Sequence, residues 1–336
     1  MRDDIPVTGN PVIDTMTRIF DWLDRQIDQL VPRPPAPPPR AAPADMTDEQ
    51  LHHAIHDVGG RLLNSLAPVL QRSFAGDGAK RDPRFPHPLP TTARAHALMM
   101  FTQAHDSYGL SLLGLREHAS ASALGPIRNI AETLALTQWL LESSDEEIRR
   151  GRAYRLTRNA IGQYRDLTTT LERIAPQSPQ ILQIAPRLAA AADRMTHSLT
   201  ALAQQDGVTI ATKPKKMSRL IEQYLPESGG YMLYALLSSA GVHPGAARAY
   251  LFYGRPGTGI SDFDFKGLYH VRAYWIAQSI GLHLDLCHLV APVLGWQGWD
   301  AIADATQSQL QPLAEEAERR FSESLLRAVA NTPDRR

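Results

Sequence analysis

The sequence predicts an all-α protein, a multi-helix bundle with a tethered N-terminal amphipathic helix. Apolar residues recur at helical spacing along most of the chain from Thr47 onward. Sustained alternation of apolar and polar residues, the pattern of a half-buried strand, is not found, and residues 247–254 are the one short strand candidate. Capping residues and prolines also stand where helices are expected to begin. Together these features indicate helix packed on helix.

The first expected element is an amphipathic helix for assembly or docking within residues 1–30. Asn10 suits the N-cap and Pro11 the first helical position. Six apolar residues then follow at alternating spacings of three and four, which is the a/d seam of a coiled coil. They are Ile13, Met16, Phe20, Leu23, Ile27 and Leu30.

The segment behind this helix, residues 31–45, contains seven prolines and is predicted to be an extended linker. An isolated helix of about 20 residues is marginal in water, so its apolar seam needs a cover. Three covers remain open: a second copy, another protein, or a groove on the chain's own body.

Residues 46–336 are expected to form one helical-bundle domain. Thr47 with Gln50 makes a capping box, and Ser144 with Glu147 makes a second one. Pro179 marks another helix start, whereas residues 75–92 are too rich in proline and glycine to be regular. The predicted helices are 47–74, 93–118, 123–142, 145–174, 179–205, 217–225, 229–241, 266–294 and 299–330.

Composition argues against several functional classes. Thirty-five basic and 35 acidic residues give a formal net charge of zero, so no bulk charge favours nucleic acid or an acidic membrane. A single cysteine, Cys287, allows neither an intrachain disulfide nor a multi-cysteine metal site. The N-terminus lacks the pattern of a signal peptide, and His283, Asp285 and His288 interrupt the most apolar run, residues 276–296. We expect a cytoplasmic protein without a cofactor.

Two helical segments carry weak metal-binding signals. His283 and Cys287 lie four residues apart on one helix face, yet zinc would require two more ligands from elsewhere. Core histidines and a buried thiol on an apolar helix explain that pair more simply. Glu49 and His52 have the spacing of a carboxylate–histidine motif, but a second copy is missing, so a polar helix face is predicted.

The strongest charge signal is a row of arginines in residues 145–166. Arg149, Arg152, Arg155 and Arg158 recur every three residues, a pattern that suits phosphate binding. An aromatic platform or a known nucleic-acid module does not accompany them. A solvated helix face paired to nearby acids is the competing interpretation.

Ser239 and His243 stand one helical turn apart and form the best nucleophile–base candidate. Such a pair also needs a third group and an oxyanion hole, and neither is evident nearby. His243 precedes Pro244, which disfavours helical geometry, so the simpler interpretation is that His243 ends a helix.

Two motifs together resemble a broad group of bacterial, notably actinobacterial, all-helical proteins of unknown function. One is Arg128-x-x-x-Glu132 in "IRNIAETLALTQWLL", and the other is the Tyr-x-x-x-Ser and Ser-x-x-x-His-Pro order in "YMLYALLSSAGVHPG". The resemblance covers roughly residues 93–290 and implies a helical fold without an established activity. It also implies that Arg128, Glu132, Ser239 and His243 lie together, as a site or as a structural network.

Helical ribonucleases of toxin and antiviral systems invite comparison. Their signature is an arginine followed after four to six residues by a histidine on a helix. Only Arg81 and His87 fit it here, and the prolines between them argue against a helix.

The sequence therefore favours a binding or assembly protein that uses residues 11–30 for self-association or for docking to a partner protein. The alternative is a ribonuclease-like or anion-binding enzyme of the defence or toxin type, built on Arg128, Glu132, Ser239 and His243.

Overall fold

The computed structural model describes residues 42–75, 82–116, 120–174, 177–226, 230–241 and 268–330. Within these ranges the chain forms nine α-helices, one short 3-10 helix at Pro43–Asp45 and no strand, so the all-α prediction is confirmed. The chain divides into two units, Met1–Asp45 and Met46–Arg336. The predicted helix of residues 11–30, with its six seam residues, lies outside the described residues, as do His243 and the strand candidate 247–254.

The nine helices agree with the predicted ones to within three residues at every end. They are α1 (Asp48–Ala75), α2 (Ala93–Arg116), α3 (Ser120–Leu141), α4 (Glu146–Ile174), α5 (Pro179–Gln205), α6 (Met217–Tyr224), α7 (Gly230–Gly241), α8 (Tyr269–Leu294) and α9 (Trp299–Ala330).

The centre of the second unit is α8, which packs against α1, α2, α3 and α9. Apolar side chains lie on all sides of this helix, so burial along nearly its whole length is expected. By length and composition alone α8 also meets the criterion for a membrane span, the one described helix that does. In the structure 61% of that apolar window is buried in the protein, as is usual for the core helix of a bundle.

Helix starts follow the predicted chemistry with one correction. At α1, Gln50 Oε1 accepts from the Thr47 amide at 2.8 Å, and Thr47 Oγ1 accepts from the Gln50 amide at 3.2 Å, so the capping box is confirmed. The box predicted from Ser144 is wrong. Asp145 directly precedes α4, and its Oδ1 accepts from the Glu147 amide at 2.8 Å. The carboxylate one residue nearer the helix takes the capping role.

The hairpin of α4 and α5 has a small core of its own, separate from the main one. A partly buried acid closes it: Asp206 accepts from Arg84 Nη1 at 2.6 Å and from the Tyr154 hydroxyl at 2.5 Å. His87 lies in the irregular segment before α2, with its Nε2 3.2 Å from Ser198 Oγ. The prediction that His87 is not on a helix is therefore confirmed. The apolar members of this core are Phe85, Tyr154, Ile161, Ala192, Met195, Leu199, Leu202, Ala203 and Val208.

Candidate functional site

The best candidate site lies between α3 and α7, which pack against each other. Arg128 Nε donates to Glu132 Oε1 at 2.8 Å, and Arg128 Nη2 donates to the Tyr234 hydroxyl at 3.0 Å. The guanidinium carbon also lies 5.0 Å from the centre of the Tyr234 ring. The structure thus confirms the predicted i, i+4 pair and adds Tyr234 as its third member.

This Arg128–Glu132–Tyr234 cluster is partly open to solvent. The two charged side chains are 23% and 26% exposed, so the pair lies neither in the dry core nor on a fully solvated face. Arg128 Nη1 has no acceptor among the described residues, whereas Nε and Nη2 each donate one hydrogen bond. A partly exposed guanidinium, with one nitrogen that has no acceptor in the described part of the chain, is suited to hold one anionic oxygen.

The serine and histidine predicted to join this cluster cannot be placed there from the described side chains. Ser239 lies on α7 by its backbone alone, and His243 is outside the described residues. The neighbouring Ser238 stands four residues after Tyr234 on the same helix face. Its Oγ is buried and has no hydrogen-bond partner among the described residues. A second polar group therefore faces the same side of α7 as Tyr234.

A similar arrangement occurs where α3 ends. Arg152 of α4 donates from Nη2 to Glu142 Oε1 at 2.8 Å and from Nη1 to the Trp139 carbonyl. The Tyr224 hydroxyl of α6 donates to the other Glu142 oxygen at 2.6 Å. A cluster of one arginine, one glutamate and one tyrosine thus occurs twice beside α3. The tyrosine comes from α7 in the first cluster and from α6 in the second. The recurrence indicates that such clusters fasten the short helices α6 and α7 to the bundle.

The arginine row on α4 does not converge on one site. A spacing of three residues turns each arginine by about 60° from the last, so Arg149 and Arg158 point to opposite sides of the helix. Arg149 donates to Glu146 at 2.8 Å, and Arg152 is held by Glu142. Arg155 has a buried Nε without a partner among the described residues, and Arg158 is exposed. An anion bound by all four would have to displace carboxylates already in place.

The weak metal candidates lie in the main core. His283 and Cys287 are both fully buried, and burial lowers the pKa of the histidine and raises that of the thiol. His283 Nε2 is 3.3 Å from His105 Nδ1, and its ring stacks on Tyr108 at 4.3 Å. In the part of the chain that the structure describes, no group of three or more His, Cys, Asp or Glu side chains could hold a metal ion.

His52 corrects the sequence interpretation of its helix. Glu49 and His53 are exposed as expected, but His52 is only 1% exposed, and its Nε2 lies 3.2 Å from the Leu115 carbonyl of α2. The prediction of a polar face at His52 is therefore wrong. The cause is tertiary, because α2 and α8 close over this side of α1.

Comparison with protein-family models, characterised proteins and solved structures finds no match to this chain. The site is therefore defined by its geometry. Tyr234 belongs to the Tyr-x-x-x-Ser motif but was not among the site residues predicted from the sequence. The motif itself was the available signal, since a tyrosine one turn before a serine on an apolar helix marks a shared polar face.

Proposed function

We propose that the chain is a cytoplasmic binding or assembly protein that uses residues 11–30 for self-association or for docking to a partner protein. The supporting observation is the a/d seam of six apolar residues behind a proline-rich linker. At about 3.1 Å per residue, the linker of residues 31–45 allows the seam to reach a partner roughly 45 Å away.

The described part of the chain agrees with a binding role better than with catalysis. Several of its charged side chains pair with one another, as at Asp206 and at Glu142. Glu316 is a further example, because Arg319 and Arg320 both donate to it at 2.6 Å and hold its pKa at about 2. An ionised acid held in this way stabilises the fold but has little tendency to accept a proton at neutral pH.

Charge placed on the seam tests the proposal. In the full chain, we expect Phe20→Asp combined with Leu23→Asp to give a smaller oligomer in solution than the unchanged chain, or to abolish capture of a protein partner. Two carboxylates buried at a helix interface cost several kcal/mol. Analytical ultracentrifugation and affinity capture are the measurements.

The matched control is Thr15→Asp with Gln29→Asp, which adds the same charge away from the seam. The control is expected to behave as the unchanged chain. Identical mass and identical partner capture for both double variants would remove the proposal.

The second candidate function is anion binding at the Arg128–Glu132–Tyr234 cluster, as part of a ribonuclease-like activity. The observations that favour it are Arg128 Nη1 and Ser238 Oγ, neither of which has a hydrogen-bond partner within the residues that the structure describes. Arg128→Ala is expected to weaken RNA binding at least tenfold, with a smaller salt dependence. Arg165→Ala, which removes an exposed arginine paired with Asp193, is the control. RNA binding that is absent at low salt, or equal in both variants, argues against this function.

A further inference from the structure

The short helices α6 and α7 lie against one side of the bundle and form a single unit, here called the α6–α7 cover. Both pack on α3 and on each other, and these are their main contacts among the described helices. Gly230, at a φ of 49°, donates its amide to the Leu225 carbonyl at 2.8 Å and so ties the end of α6 to the start of α7. The cover therefore depends on α3 for its place in the fold.

The inner side of the cover is apolar. Five aliphatic side chains are at most 5% exposed and belong to the main core: Leu220, Ile221, Leu225, Leu233 and Leu237. Their burial keeps the cover closed on the outer side of α3, which also packs on α2 and α8. Helices of eight and 12 residues are too short to be stable alone in water, so the cover loses its helices when it leaves α3.

The two Arg–Glu–Tyr clusters beside α3 divide unequally between the cover and the rest of the bundle. The arginine and the glutamate of each cluster lie outside the cover, on α3, on α4 or, for Glu142, directly after α3. The cover contributes only the hydroxyls of Tyr234 and Tyr224. The two glutamate side chains are 26% and 37% exposed, so water can replace the hydroxyls. Both ion pairs therefore persist when the cover leaves, and no charge is left unpaired.

The chain on either side of the cover permits such a movement. Before the cover, the Ala211 amide is held on α4 by the Gly151 carbonyl at 3.1 Å. Residues 212–216 follow in a non-helical conformation, and all of them but Pro214 are exposed. After the cover, residues 242–268 separate it from α8. Ser238 Oγ, which is buried without a hydrogen-bond partner among the described residues, also gains water when the cover opens.

We propose that α6 and α7 open from α3 as one unit and uncover the outer side of α3 while the remaining bundle stays folded. The closed form is the major one, because the aliphatic side chains are removed from water only there. The open form is a minor state of the kind that local unfolding produces. Opening takes the Tyr234 hydroxyl away from Arg128 Nη2, so the state of the cover regulates access to that guanidinium. Neither proposed function is needed for this movement.

Thiol labelling of the full chain under native conditions tests the movement. Leu237→Cys places a thiol on the buried side of α7, and the native Cys287, fully buried in α8, is the reference in the same molecule. We expect the thiol at residue 237 to react about a hundredfold faster than that of Cys287. Leu66→Cys, at an equally buried leucine of α1, is the matched control and is expected to react as slowly as Cys287. Equal rates at residues 237 and 66 would overturn the proposal.

A change in α6 tests whether both helices leave together. Tyr224→Phe, added to Leu237→Cys, removes the hydroxyl that donates to Glu142. We expect it to speed labelling at residue 237 about fivefold and to leave the rate at Cys287 unchanged, because a hydrogen bond that only the closed form makes is lost. Tyr164→Phe, in the core of the α4–α5 hairpin, is the control and is expected to change neither rate. An unchanged rate at residue 237 after Tyr224→Phe, or the same acceleration by both changes, contradicts opening as one unit.

Hydrogen exchange of the unchanged chain measures the movement without a substitution. The amides of α6 and α7 are expected to exchange through one shared opening that depends less on denaturant than the exchange of α8 does. The reason is that opening of the cover exposes less surface than global unfolding. If the amides of α6 and α7 exchange only together with those of α8, the cover does not open separately and the proposal fails.

Discussion

Lowering the pH from 7.5 to 5 is expected to destabilise the folded protein by several kcal/mol. The cause is a set of histidines that the bundle holds in their neutral form. Burial lowers the pKa of His52 to about 3 and those of His96 and His105 to about 4, and it lowers the pKa of His283 well below its usual range. Nothing comparable raises a histidine pKa among the described residues.

The direction of the effect follows from proton uptake. An exposed histidine in the unfolded chain titrates near pH 6.5. Between that pH and about 4, the unfolded state binds more protons than the folded state does. The free energy of unfolding therefore falls as the pH falls. Each such histidine contributes up to about 1.4 kcal/mol per pH unit. Asp106 has the opposite sign, since its pKa is raised to about 6 in the fold, but it is one group against these four histidines and His56, whose pKa burial also lowers.

Chemical denaturation at a series of pH values measures this dependence. The combined change His105→Leu and His283→Leu removes two of the histidines. We expect it to reduce the pH dependence of the unfolding free energy by an amount that corresponds to up to two protons taken up on unfolding. His53→Gln, at a histidine whose side chain is 61% exposed, is the control and is expected to keep the full slope. An unfolding free energy that is the same at pH 7.5 and pH 5 contradicts the expectation.

The burial of these histidines also could not be predicted from the sequence. The helices themselves were predictable because capping residues, prolines and apolar spacing act locally, as at Thr47 and Pro179. Whether a histidine on such a helix faces water or the core depends on which neighbour covers it. His52 is buried because α2 and α8 close over it, and α2 also supplies a carbonyl for its ring; no local pattern contains that information.

The candidate site was likewise predictable only in its local part. Arg128 and Glu132 were predicted to pair because i, i+4 residues meet on any helix. Tyr234 comes from a helix more than a hundred residues later, and its role depends on how α7 packs on α3. The sequence also did not predict which side of α2 is exposed. Apolar residues lie on several sides of this helix, and the sequence does not tell which of them α8 covers.

Gly151→Ala is expected to lower the free energy of unfolding by about 2 kcal/mol, although alanine is the better helix former. Gly151 lies on α4 at the point where the chain after α5 crosses it, and its carbonyl accepts from the Ala211 amide at 3.1 Å. A Cβ at Gly151 would come within 2.5 Å of the Thr209 carbonyl oxygen. Because that atom belongs to the backbone, the whole crossing segment would have to move.

The same helix provides the control. A Cβ at Gly162 would meet nothing within 4 Å, so Gly162→Ala is expected to raise the free energy of unfolding by about 0.5–1 kcal/mol. Urea denaturation of both variants at pH 7.5 is the measurement, and opposite signs are the expected result. A shift in the same direction for both would show that helix propensity outweighs the close approach. The crossing segment also carries Val208 into the core of the α4–α5 hairpin, so its displacement loosens the packing there as well.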